Sequence, residues 1–359
     1  MRILYGVVGE GMGHAIRSRA VLEHLIGEGH EVHIVASQRA VDFLRKHFSP
    51  ESVSRIHGLH MVTEDNRIRR GKTLWSNVLD GTAALPGQIR TYFDLIETFE
   101  PEAVLSDFES WTYYFARAHR LPVFSIDNMQ IIHRCTLPPE VIGDYRTEFE
   151  VTKAFIRGKL PRADHYFITT FFHPEVRKDK TSLVPPILRP DILEAKSEAG
   201  EHLLVYQTAT GNDELVAALH ASGLECRIYG MRRELTEEQV EGALRYRPFS
   251  EAGFIDDLRT ARGVVTGGGF TLMSECVYLR KPTLSIPIER HFEQILNGRY
   301  LEHLGYGRFT PQADATAVQS FLEAIPQCAA KLTEVTQDGN TVLFNVLDEH
   351  LDRAAAGLY

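Results

Sequence analysis

The hydrophobic positions at the start of the chain change period from strand-like to helical and back. Ile3 to Val8 form a short β-branched apolar run, which is typical of a buried strand. Apolar residues then recur at helical spacing from Ala15 to Ile26, and a second apolar run follows from Val32 to Val35. Strand, loop, helix and strand in this order form the unit from which parallel sheets are built.

The same alternation continues along the chain and restarts after one break. Val184 to Gly200 contains three prolines and then a polar, charged run, which predicts a linker because proline continues neither a helix nor a central strand. The predicted strands are 3–8, 32–35, 103–105, 123–126, 165–169, 203–206, 225–229, 263–266 and 283–286, and the predicted helices are 15–26, 111–119, 213–221, 271–279, 291–303 and the segment from 340.

These elements predict an α/β protein of two similar halves. We assign residues 1–185 to an N-terminal domain, 186–200 to a linker, 201–339 to a C-terminal domain and 340–359 to a final helix that packs back on the N-terminal domain. Open parallel sheets bind ligands beyond the carboxyl ends of their strands. Two Rossmann-like, doubly wound sheets facing each other therefore predict a site in the cleft between them.

Composition narrows the functional classes. The 359 residues suffice for two domains with separate cores, and 43% hydrophobic and 24% charged residues are typical of soluble globular proteins. A formal net charge of −9 argues against nucleic acid as a partner. The short basic run at Arg67, Arg69, Arg70 and Lys72 is interpreted as a solvated loop.

The sequence shows no signature of export or of metal binding. The N-terminal apolar run is too short for a signal peptide, and no stretch approaches the roughly 18 apolar residues of a membrane span. HExxH and acidic calcium-loop motifs are absent. The four cysteines are far apart and form no CxxC pair, so we predict reduced structural thiols in a cytoplasmic protein: Cys135, Cys226, Cys276 and Cys328.

A glycine-rich loop follows the first strand directly. Its residues are Gly9-Glu10-Gly11-Met12-Gly13-His14. A dinucleotide fingerprint would need a third glycine where His14 stands. It would also need an acidic residue at the end of the second strand, which instead ends Val35-Ala36-Ser37-Gln38. A nicotinamide or flavin cofactor is therefore not expected, and the loop is predicted to line the cleft.

His14 is the candidate general base of this loop. A helix N-terminus disfavours the protonated imidazole, so the neutral ring can accept a proton near pH 7. Asp107 follows the strand 103–105 on the same rim and is predicted to orient the ring. The alternatives are a histidine that satisfies turn backbone groups and an aspartate that caps the next helix. Glu10 and Glu109 are weaker candidates for the base.

A second glycine loop, Thr266-Gly267-Gly268-Gly269-Phe270-Thr271, follows another strand and opens a helix. Successive backbone N–H groups at a helix N-terminus are suited to a phosphate or pyrophosphate, and no GKS or GKT follows as in a P-loop. Glu275 lies under two turns into the helix, within reach of ribose hydroxyls. Glu293 and Gln294 open a later helix and suit hydrogen bonds to a sugar.

The chain as a whole resembles glycosyltransferases of the GT-B fold, most clearly over residues 245–307. It is similar to the superfamily of plant and macrolide glycosyltransferases and of the muramyl-pentapeptide N-acetylglucosaminyltransferase. Within that superfamily it resembles uncharacterised prokaryotic members more than the plant enzymes. The residues that carry the resemblance are Pro248-Phe249, Gly263–Thr266, Gly267–Thr271, Glu275, Lys281-Pro282 and Glu293-Gln294.

The resemblance implies a role for each of these residues. The glycine loop from Gly267, with Gly268, Gly269, Phe270 and Thr271, would hold the donor pyrophosphate, Glu275 the ribose, and Glu293 with Gln294 the donor sugar. The segment Phe249–Ile255, which includes Phe254, would hold the base. The glycines Gly11 and Gly13 with Met12 would line the cleft beside the catalytic His14 and its partner Asp107. The family relation also implies inversion at the anomeric carbon, no cofactor and no bound metal.

Some positions depart from the plant signature, which has histidine where Gly267 stands, tryptophan where Phe270 stands and a base-stacking tryptophan with no aromatic counterpart here. A UDP-sugar is the favoured donor, with dTDP- and GDP-sugars open. A nucleotide-sugar 2-epimerase and a non-catalytic nucleotide-sugar-binding protein are alternatives on the same scaffold. The acceptor, whether a sugar, a lipid-linked molecule or a natural product, would contact residues 54–98 and 129–159, where the aromatic residues are Trp75, Tyr92, Phe93, Tyr145 and Phe149.

Overall fold

The computed structural model describes residues 1–9, 11–56, 93–207 and 213–359, together with residue 91 and two very short strands. The strands are β1 Arg2–Val7, β2 Glu31–Ser37, β3 Val53–Ile56, β4 Thr63–Glu64, β5 Arg67–Ile68, β6 Ala103–Asp107, β7 Val123–Asp127, β8 Cys135–Thr136, β9 His165–Thr169, β10 Glu175–Val176, β11 Thr181–Val184, β12 Leu203–Tyr206, β13 Cys226–Tyr229, β14 Gln239–Glu241, β15 Leu244–Tyr246, β16 Gly263–Thr266, β17 Thr283–Ser285 and β18 Gly307–Phe309.

Helices connect most of these strands. They are α1 Met12–Gly27, α2 Gln38–His47, α3 Ser110–His119, α4 Ile131–Arg134, α5 Pro139–Ile142, α6 Arg146–Lys159, α7 Pro190–Glu194, α8 Asp213–Ala221, α9 Glu251–Arg259, α10 Phe270–Tyr278, α11 Phe292–His303, α12 Ala315–Leu332 and α13 Thr341–Ala355, with a 3-10 turn at Pro50–Ser52 and a π-helical turn at Leu95–Phe99. The basic residues Arg69, Arg70 and Lys72 lie outside the described residues, as do Glu10, Trp75 and Tyr92.

The N-terminal half forms a seven-stranded sheet in the order β11-β9-β7-β6-β1-β2-β3. All of its pairings are parallel, and Val7 at the end of β1 lies opposite Asp107 at the end of β6. The chain order reverses between these two strands. Such a switch point is where an open parallel sheet leaves room for a ligand between diverging loops.

The C-terminal half repeats this arrangement with a sheet in the order β14-β15-β13-β12-β16-β17-β18. Only the edge strand β14 is antiparallel among these described strands. Here the order reverses between β12 and β16, and the second glycine loop follows β16. The predicted α/β class with two Rossmann-like, doubly wound sheets is confirmed.

Aromatic side chains join the two halves. Phe171 stacks on Phe270 with ring centroids 5.8 Å apart, and Phe172 stacks on Tyr300 at 3.9 Å. Phe149 packs against Phe292 at 5.3 Å. Phe149 belongs to the segment 129–159 that we expected to shape the acceptor pocket, but the structure uses its ring in the core between the two halves. Tyr145 likewise lies edge-on to a ring of the C-terminal half, that of Phe309.

The linker contains a helix that the proline pattern argued against. Pro190 is the first residue of the short helix α7, because proline is tolerated in the first turn, where its missing N–H would have no partner in the helix. Another helix that was not predicted, α12, contains Pro326 within it. Its apolar face, which includes Val318, Phe321 and Ile325, is buried against the second sheet.

The last helix, α13, packs on the first sheet. Its buried side chains share one apolar core with strand residues of that sheet, and these helix residues are Leu343, Leu347, Leu351 and Ala354. His24 contacts Asp348 through Nε2 at 2.9 Å and stacks on Phe344 with ring centroids 4.0 Å apart. The rings of His165 and His350 lie 4.1 Å apart at the same contact.

These last two histidines oppose folding at low pH. Burial, His350 and the cations Arg134, Arg353 and Lys180 lower the pKa of His165 to about 4, and burial followed by Arg353 lowers the pKa of His350. The unfolded chain, in which a histidine pKa is about 6.5, therefore takes up protons that the folded protein excludes. The stability that these groups contribute is fully present above about pH 6.5 and is lost as the pH falls towards about 4.

We expect the free energy of unfolding, measured by urea titration, to be lower at about pH 5 than at about pH 7.5. His165→Gln removes one of the titrating groups, so the difference between the two pH values will become smaller. His173→Gln, at an exposed position of the same domain, is the matched control and will keep the wild-type difference. An unchanged pH dependence in His165→Gln would contradict the assignment.

Candidate active site

The two glycine loops that the sequence singled out meet across the cleft. Thr271 Oγ1 donates a hydrogen bond of 3.2 Å to the backbone oxygen of Gly13. A Cβ on Gly13 would lie 2.7 Å from that hydroxyl, so a larger residue at this position would push the loops apart. The first turns of α1 and α10 therefore face each other at the switch points of their two sheets.

His14 and Asp107 are in direct contact, as predicted from their positions on one rim. His14 lies in the first turn of α1 and Asp107 ends β6. The atoms Nδ1 and Oδ1 are 2.7 Å apart, and the aspartate is only 1% exposed. A buried carboxylate at this distance fixes the orientation of the imidazole ring.

Two further residues of α1 complete the carboxylate's environment. Arg17 donates from Nε to Asp107 Oδ2 at 2.8 Å and from Nη2 to Oδ1, and Ser18 Oγ donates to Oδ2 at 3.0 Å. Arg17 also donates from Nη1 to Asn128 Oδ1 at 2.6 Å. The sequence analysis missed these side chains. The available signal was that Arg17 follows His14 by three positions, which places both on one helix face.

The contacts of His14 Nδ1 favour one tautomer of the ring. Nδ1 lies 2.7 Å from Asp107 Oδ1 and also 2.7 Å from Arg17 Nη2. Asp107 Oδ1 can only accept, and Arg17 Nη2, which can only donate, has that same oxygen as its acceptor, so a proton on Nδ1 gives all three atoms compatible roles. We therefore place the proton on Nδ1, from which it is donated to Asp107. Nε2 then carries the lone pair that can accept a substrate proton.

Asp107 stays ionised despite its burial. Burial alone would raise its pKa, but the charge of Arg17 and the hydrogen bonds from Arg17 and His14 hold the pKa of this carboxyl well below its usual range. A carboxylate that remains charged stabilises an imidazolium formed beside it. The arrangement therefore suits a histidine that gains a proton during a reaction.

Glu109, a weaker candidate for the base, has a structural role. Its Oε1 accepts from the backbone N of Trp111 at 2.7 Å, and its Oε2 accepts from the backbone N and the hydroxyl of Thr112. It therefore caps α3, the role that we had considered for Asp107. Between the two acids, Phe108 adopts a left-handed conformation with φ 56°, and Lys159 Nζ donates to its carbonyl at 3.0 Å.

The second glycine loop is closely packed around Gly268. This residue has φ 86°, and a Cβ here would lie 2.8 Å from Ser285 Oγ and 2.9 Å from the backbone oxygen of Gln294. Only glycine fits a left-handed position with such close neighbours. Gln294 uses its side-chain oxygen to accept from the backbone N of Ile288 at 2.9 Å, so its amide nitrogen is the group left for a ligand.

Polar atoms without a partner lie beside this loop. Among the described residues, neither Gln207 Nε2 nor Ser285 Oγ has a hydrogen-bond partner, although both atoms are buried. Gln207 is 5% exposed and lies against Gly267. Buried polar atoms are normally satisfied, so these two point to a polar ligand on the loop. Sequence reasoning missed Gln207, which follows β12 as the first glycine loop follows β1.

Glu293 connects the second loop to the first half of the chain. Its Oε1 accepts from Asn297 Nδ2 at 2.9 Å and, across the cleft, from Asn128 Nδ2 at 3.0 Å. Asn297 also donates to the carbonyl of Gly268 at 3.1 Å. Because Asn128 accepts from Arg17, a continuous series of hydrogen bonds joins the His14–Asp107 pair to the second glycine loop.

The structure gives Glu275 a partner other than a nucleotide. It is 2% exposed, and its two oxygens accept from Arg189 Nε and Nη2 at 2.8 and 3.0 Å. Separating a buried ion pair costs about 3–5 kcal/mol, whereas a hydrogen bond to a charged group contributes about 1.5–3 kcal/mol. A ribose contact that required Glu275 to leave Arg189 would therefore be unfavourable.

The three aromatic residues predicted to contact the donor lie in three different environments. Phe249 is 73% exposed, at the surface just before α9. Phe254 is buried between Tyr206 and Tyr229, so its ring belongs to the core of the C-terminal half. Phe270 is also buried, in the stack with Phe171 described above. Of the three, only Phe249 is free to meet a ligand from solvent.

Clusters of metal-ligating side chains and ionised thiols were looked for in the part of the chain that the structure describes. No group of three or more His, Cys, Asp or Glu side chains in those ranges could hold a metal ion, and no helix there is long and apolar enough to cross a membrane. All four cysteines are buried and free. Burial raises the pKa of Cys135 and Cys226 to about 11 and that of Cys276 to about 12, so these thiols are not nucleophiles near neutral pH.

Several known proteins that resemble this chain in sequence or in structure are glycosyltransferases. An uncharacterised glycosyltransferase of Methanosarcina acetivorans is 23% identical over an alignment of 397 positions that covers 99% of this chain and 98% of the relative. The glycotransferase of kitacinnamycin has a TM-score of 0.66 at 14% identity, covering 97% of this chain and 98% of that structure. UGT2 of Phytolacca americana, solved with UDP-2fluoro-glucose and pterostilbene, has a TM-score of 0.65 at 14% identity, covering 98% of each chain.

Two facing Rossmann-like domains of this kind define the GT-B fold, and the resemblance inferred from the glycine loops is confirmed. The profile of glycosyl transferase family 1 matches residues 1–326. This chain belongs to that family and is a glycosyltransferase.

Proposed function

We propose that this glycosyltransferase moves a sugar from a nucleoside-diphosphate sugar to an acceptor hydroxyl, with inversion at the anomeric carbon and without a metal ion. The observation that carries the proposal is the contact between the two glycine loops at Gly13 and Thr271. It sets the His14–Asp107 pair against the helix N-terminus that suits a diphosphate. The N-terminal half therefore supplies the candidate base, and the C-terminal half supplies the site for the diphosphate.

In the proposed reaction, the oxygen of the acceptor hydroxyl attacks the anomeric carbon while His14 Nε2 accepts the proton of that hydroxyl. The bond between that carbon and the phosphate oxygen breaks, and the nucleoside diphosphate leaves onto the second glycine loop. Asp107 stabilises the resulting imidazolium. One in-line displacement inverts the anomeric configuration, and the N-terminus of α10 offsets the charge of the leaving group.

The donor site that we propose combines backbone and side-chain groups. The loop Gly267–Gly269 would hold the diphosphate together with Gln207 and Ser285, whose polar atoms are buried without partners. Glu293 Oε2 and the amide nitrogen of Gln294 would bind sugar hydroxyls. A UDP-sugar is the donor that we favour, with dTDP- and GDP-sugars as alternatives, and the UDP-2fluoro-glucose complex of UGT2 supports this choice.

The carboxylates of the cleft favour transfer over 2-epimerisation. An epimerase of this scaffold would need several acids free to act around the sugar. Among the described residues, Asp107 is enclosed by Arg17, His14 and Ser18, and Glu293, whose Oε1 accepts from two asparagines, keeps only Oε2 for the sugar. Incubation with donor alone separates the functions: an epimerase interconverts the donor, a binding protein leaves it intact, and a transferase at most hydrolyses it slowly.

The first test is a thermal-shift screen of the folded protein against UDP, dTDP, GDP and ADP sugars. A ligand at about 100 times its Kd stabilises the folded state by about 2.7 kcal/mol, so the matching nucleotide will raise the Tm by several degrees. We expect the largest shift with UDP-sugars. Absence of any shift with all four nucleotides in folded protein would remove the basis for a nucleotide-sugar donor.

A further inference from the structure

Two arginines oppose each other at a short antiparallel pairing in the N-terminal half. Strands β8 and β10 pair so that Cys135 lies opposite Val176. The ladder continues one residue further, because the backbone N of Arg177 donates to the carbonyl of Arg134 at 3.0 Å. Like charges directly opposite each other destabilise a pair of strands. The positions of Arg134 and Arg177 are therefore unfavourable unless another group compensates their charge.

The next residues along the two segments bring a lysine against a histidine. Lys178 Nζ lies 2.7 Å from His133 Nε2, and Arg177 Nη2 donates to the His133 carbonyl at 2.6 Å. An ammonium group only donates, so Nε2 accepts and the neutral imidazole carries its proton on Nδ1. Among the described residues, that buried Nδ1 has no hydrogen-bond partner. The contact therefore holds two basic groups together and leaves one of their polar atoms unsatisfied.

Helix α6, which packs against α4, adds two cations four positions apart on one side of the helix. We call the resulting set of side chains the basic cluster, and its members are His133, Arg134, Lys153, Arg157, Arg177 and Lys178. Burial, Lys178 and the three arginines lower the pKa of His133 to about 4. Burial, Arg177 and the other cations lower the pKa of Lys178. Both shifts show that the positive charges of the cluster act on one another.

Carboxylates balance little of this charge. In the described ranges, the only ion pair of the basic cluster joins Lys153 Nζ to Glu150 Oε1 at 3.7 Å. Arg134 instead uses neutral acceptors, because it donates to Thr181 Oγ1 at 2.7 Å and to the carbonyl of Asp179. The chain as a whole carries a formal net charge of −9. The cluster is therefore a local excess of positive charge on an otherwise acidic protein, and such a site attracts anions.

We propose that the basic cluster binds a phosphate group, at a site separate from the second glycine loop. Arg157 and Arg177 are exposed and Lys178 is partly exposed, so all three are open to a ligand. A guanidinium binds phosphate oxygens through paired N–H groups, and an ammonium adds a point charge. A phosphate monoester has a charge of about −1.5 to −2 at pH 7, so it compensates more of the cluster than one carboxylate does.

Two sources supply such a group: lipid headgroups and soluble phosphates. The exposed side of α6 also carries Val151 and Phe155, four positions apart and 42% and 37% exposed. Apolar side chains on the same helix as cations suit the surface of an anionic bilayer, where each Lys or Arg strengthens binding roughly fivefold. A soluble phosphate would be bound by the cations alone. The experiment therefore has one arm for each source.

The test compares a cluster variant, Arg157→Gln with Lys178→Gln, and a control variant, Lys46→Gln with Arg117→Gln, which removes the same two charges from exposed positions of the same half. One arm measures co-sedimentation with vesicles of phosphatidylcholine and phosphatidylglycerol in equal parts. The other measures the rise in Tm caused by inorganic phosphate. We expect the cluster variant to lose vesicle affinity by about 25-fold, roughly fivefold for each charge, or to lose most of the rise in Tm. The control variant will behave as the wild type does.

The two arms identify the source of the phosphate. A difference between cluster and control variants with vesicles alone identifies a lipid headgroup, and a difference with inorganic phosphate alone identifies a soluble ligand. A difference in both arms identifies the phosphate group itself as the determinant. If the double variant does not fold, Arg157→Gln, at an exposed position, takes its place. Equal behaviour of the two variants in both arms would overturn the inference, as would a wild type that responds to neither probe. Neither arm contains a nucleotide sugar, so the result is independent of the proposed function.

Discussion

Replacing His14 with alanine will lower kcat by a factor on the order of 10² to 10⁴. The physical reason is that Nε2 is the only atom of the His14–Asp107 pair left to accept a proton, because Asp107 is held by Arg17 and Ser18. Donor affinity will change little, since the donor loop is on the other half of the chain. Steady-state kinetics with saturating donor measures the first effect, and calorimetry with the nucleoside diphosphate measures the second.

His173→Ala is the control for the loss of an imidazole elsewhere in the same domain, because His173 is exposed and outside the site. This variant will have the same kcat as the wild type. Near-normal turnover in His14→Ala would refute the assignment of the base. A loss of donor affinity as large as the loss of kcat would show that His14 binds the donor instead.

Replacing Arg17 with methionine will lower the free energy of unfolding by about 3–5 kcal/mol. Arg17 makes two hydrogen bonds to Asp107, and both side chains are almost completely buried. Methionine has a similar length but leaves a buried carboxylate without its counter-charge. Urea unfolding near pH 7.5 measures the effect, and the midpoint will fall without a change in slope.

Two comparisons identify the unpaired charge as the cause. Adding Asp107→Asn to Arg17→Met removes that charge and will recover part of the lost stability. Arg19→Met, two positions along the same helix, breaks a pair with Glu23 that is partly exposed and will cost at most about 1 kcal/mol. If Arg17→Met lowered the free energy of unfolding as little as Arg19→Met does, the buried network would not stabilise the fold as we describe.

The strands of the two sheets could be predicted because they are buried on both faces. A parallel strand covered by helices on each side is a short continuous apolar run, and a glycine loop usually follows it. His165–Thr169 and Gly263–Thr266 have the predicted bounds. The edge strand Gln239–Glu241 was not predicted, because it is exposed along its whole length and carries no apolar pattern. Its three-residue neighbour Leu244–Tyr246 was not predicted either.

The centre of the site could be predicted and its surroundings could not. His14 and Asp107 each follow a strand, so sheet geometry alone places them together. Arg17 and Asn128 depend on contacts with residues 90 and 111 positions apart in the chain, and no local pattern marks such pairs. Glu275 shows the reverse case: its spacing from the glycine loop suggested ribose, but only the folded linker reveals Arg189 beside it.

The hydrogen bond between Asn128 and Glu293 also limits how this chain can be recombined with its relatives. A chimera that joins the first half of one glycosyltransferase to the second half of another keeps each sheet and its glycine loop intact. Glu293 then keeps its hydrogen bond across the cleft only where the incoming first half supplies an asparagine at the position of Asn128. Transplanting Asn128 together with the donor half preserves the hydrogen bond to Glu293, and adding Arg17 preserves the group that orients Asn128.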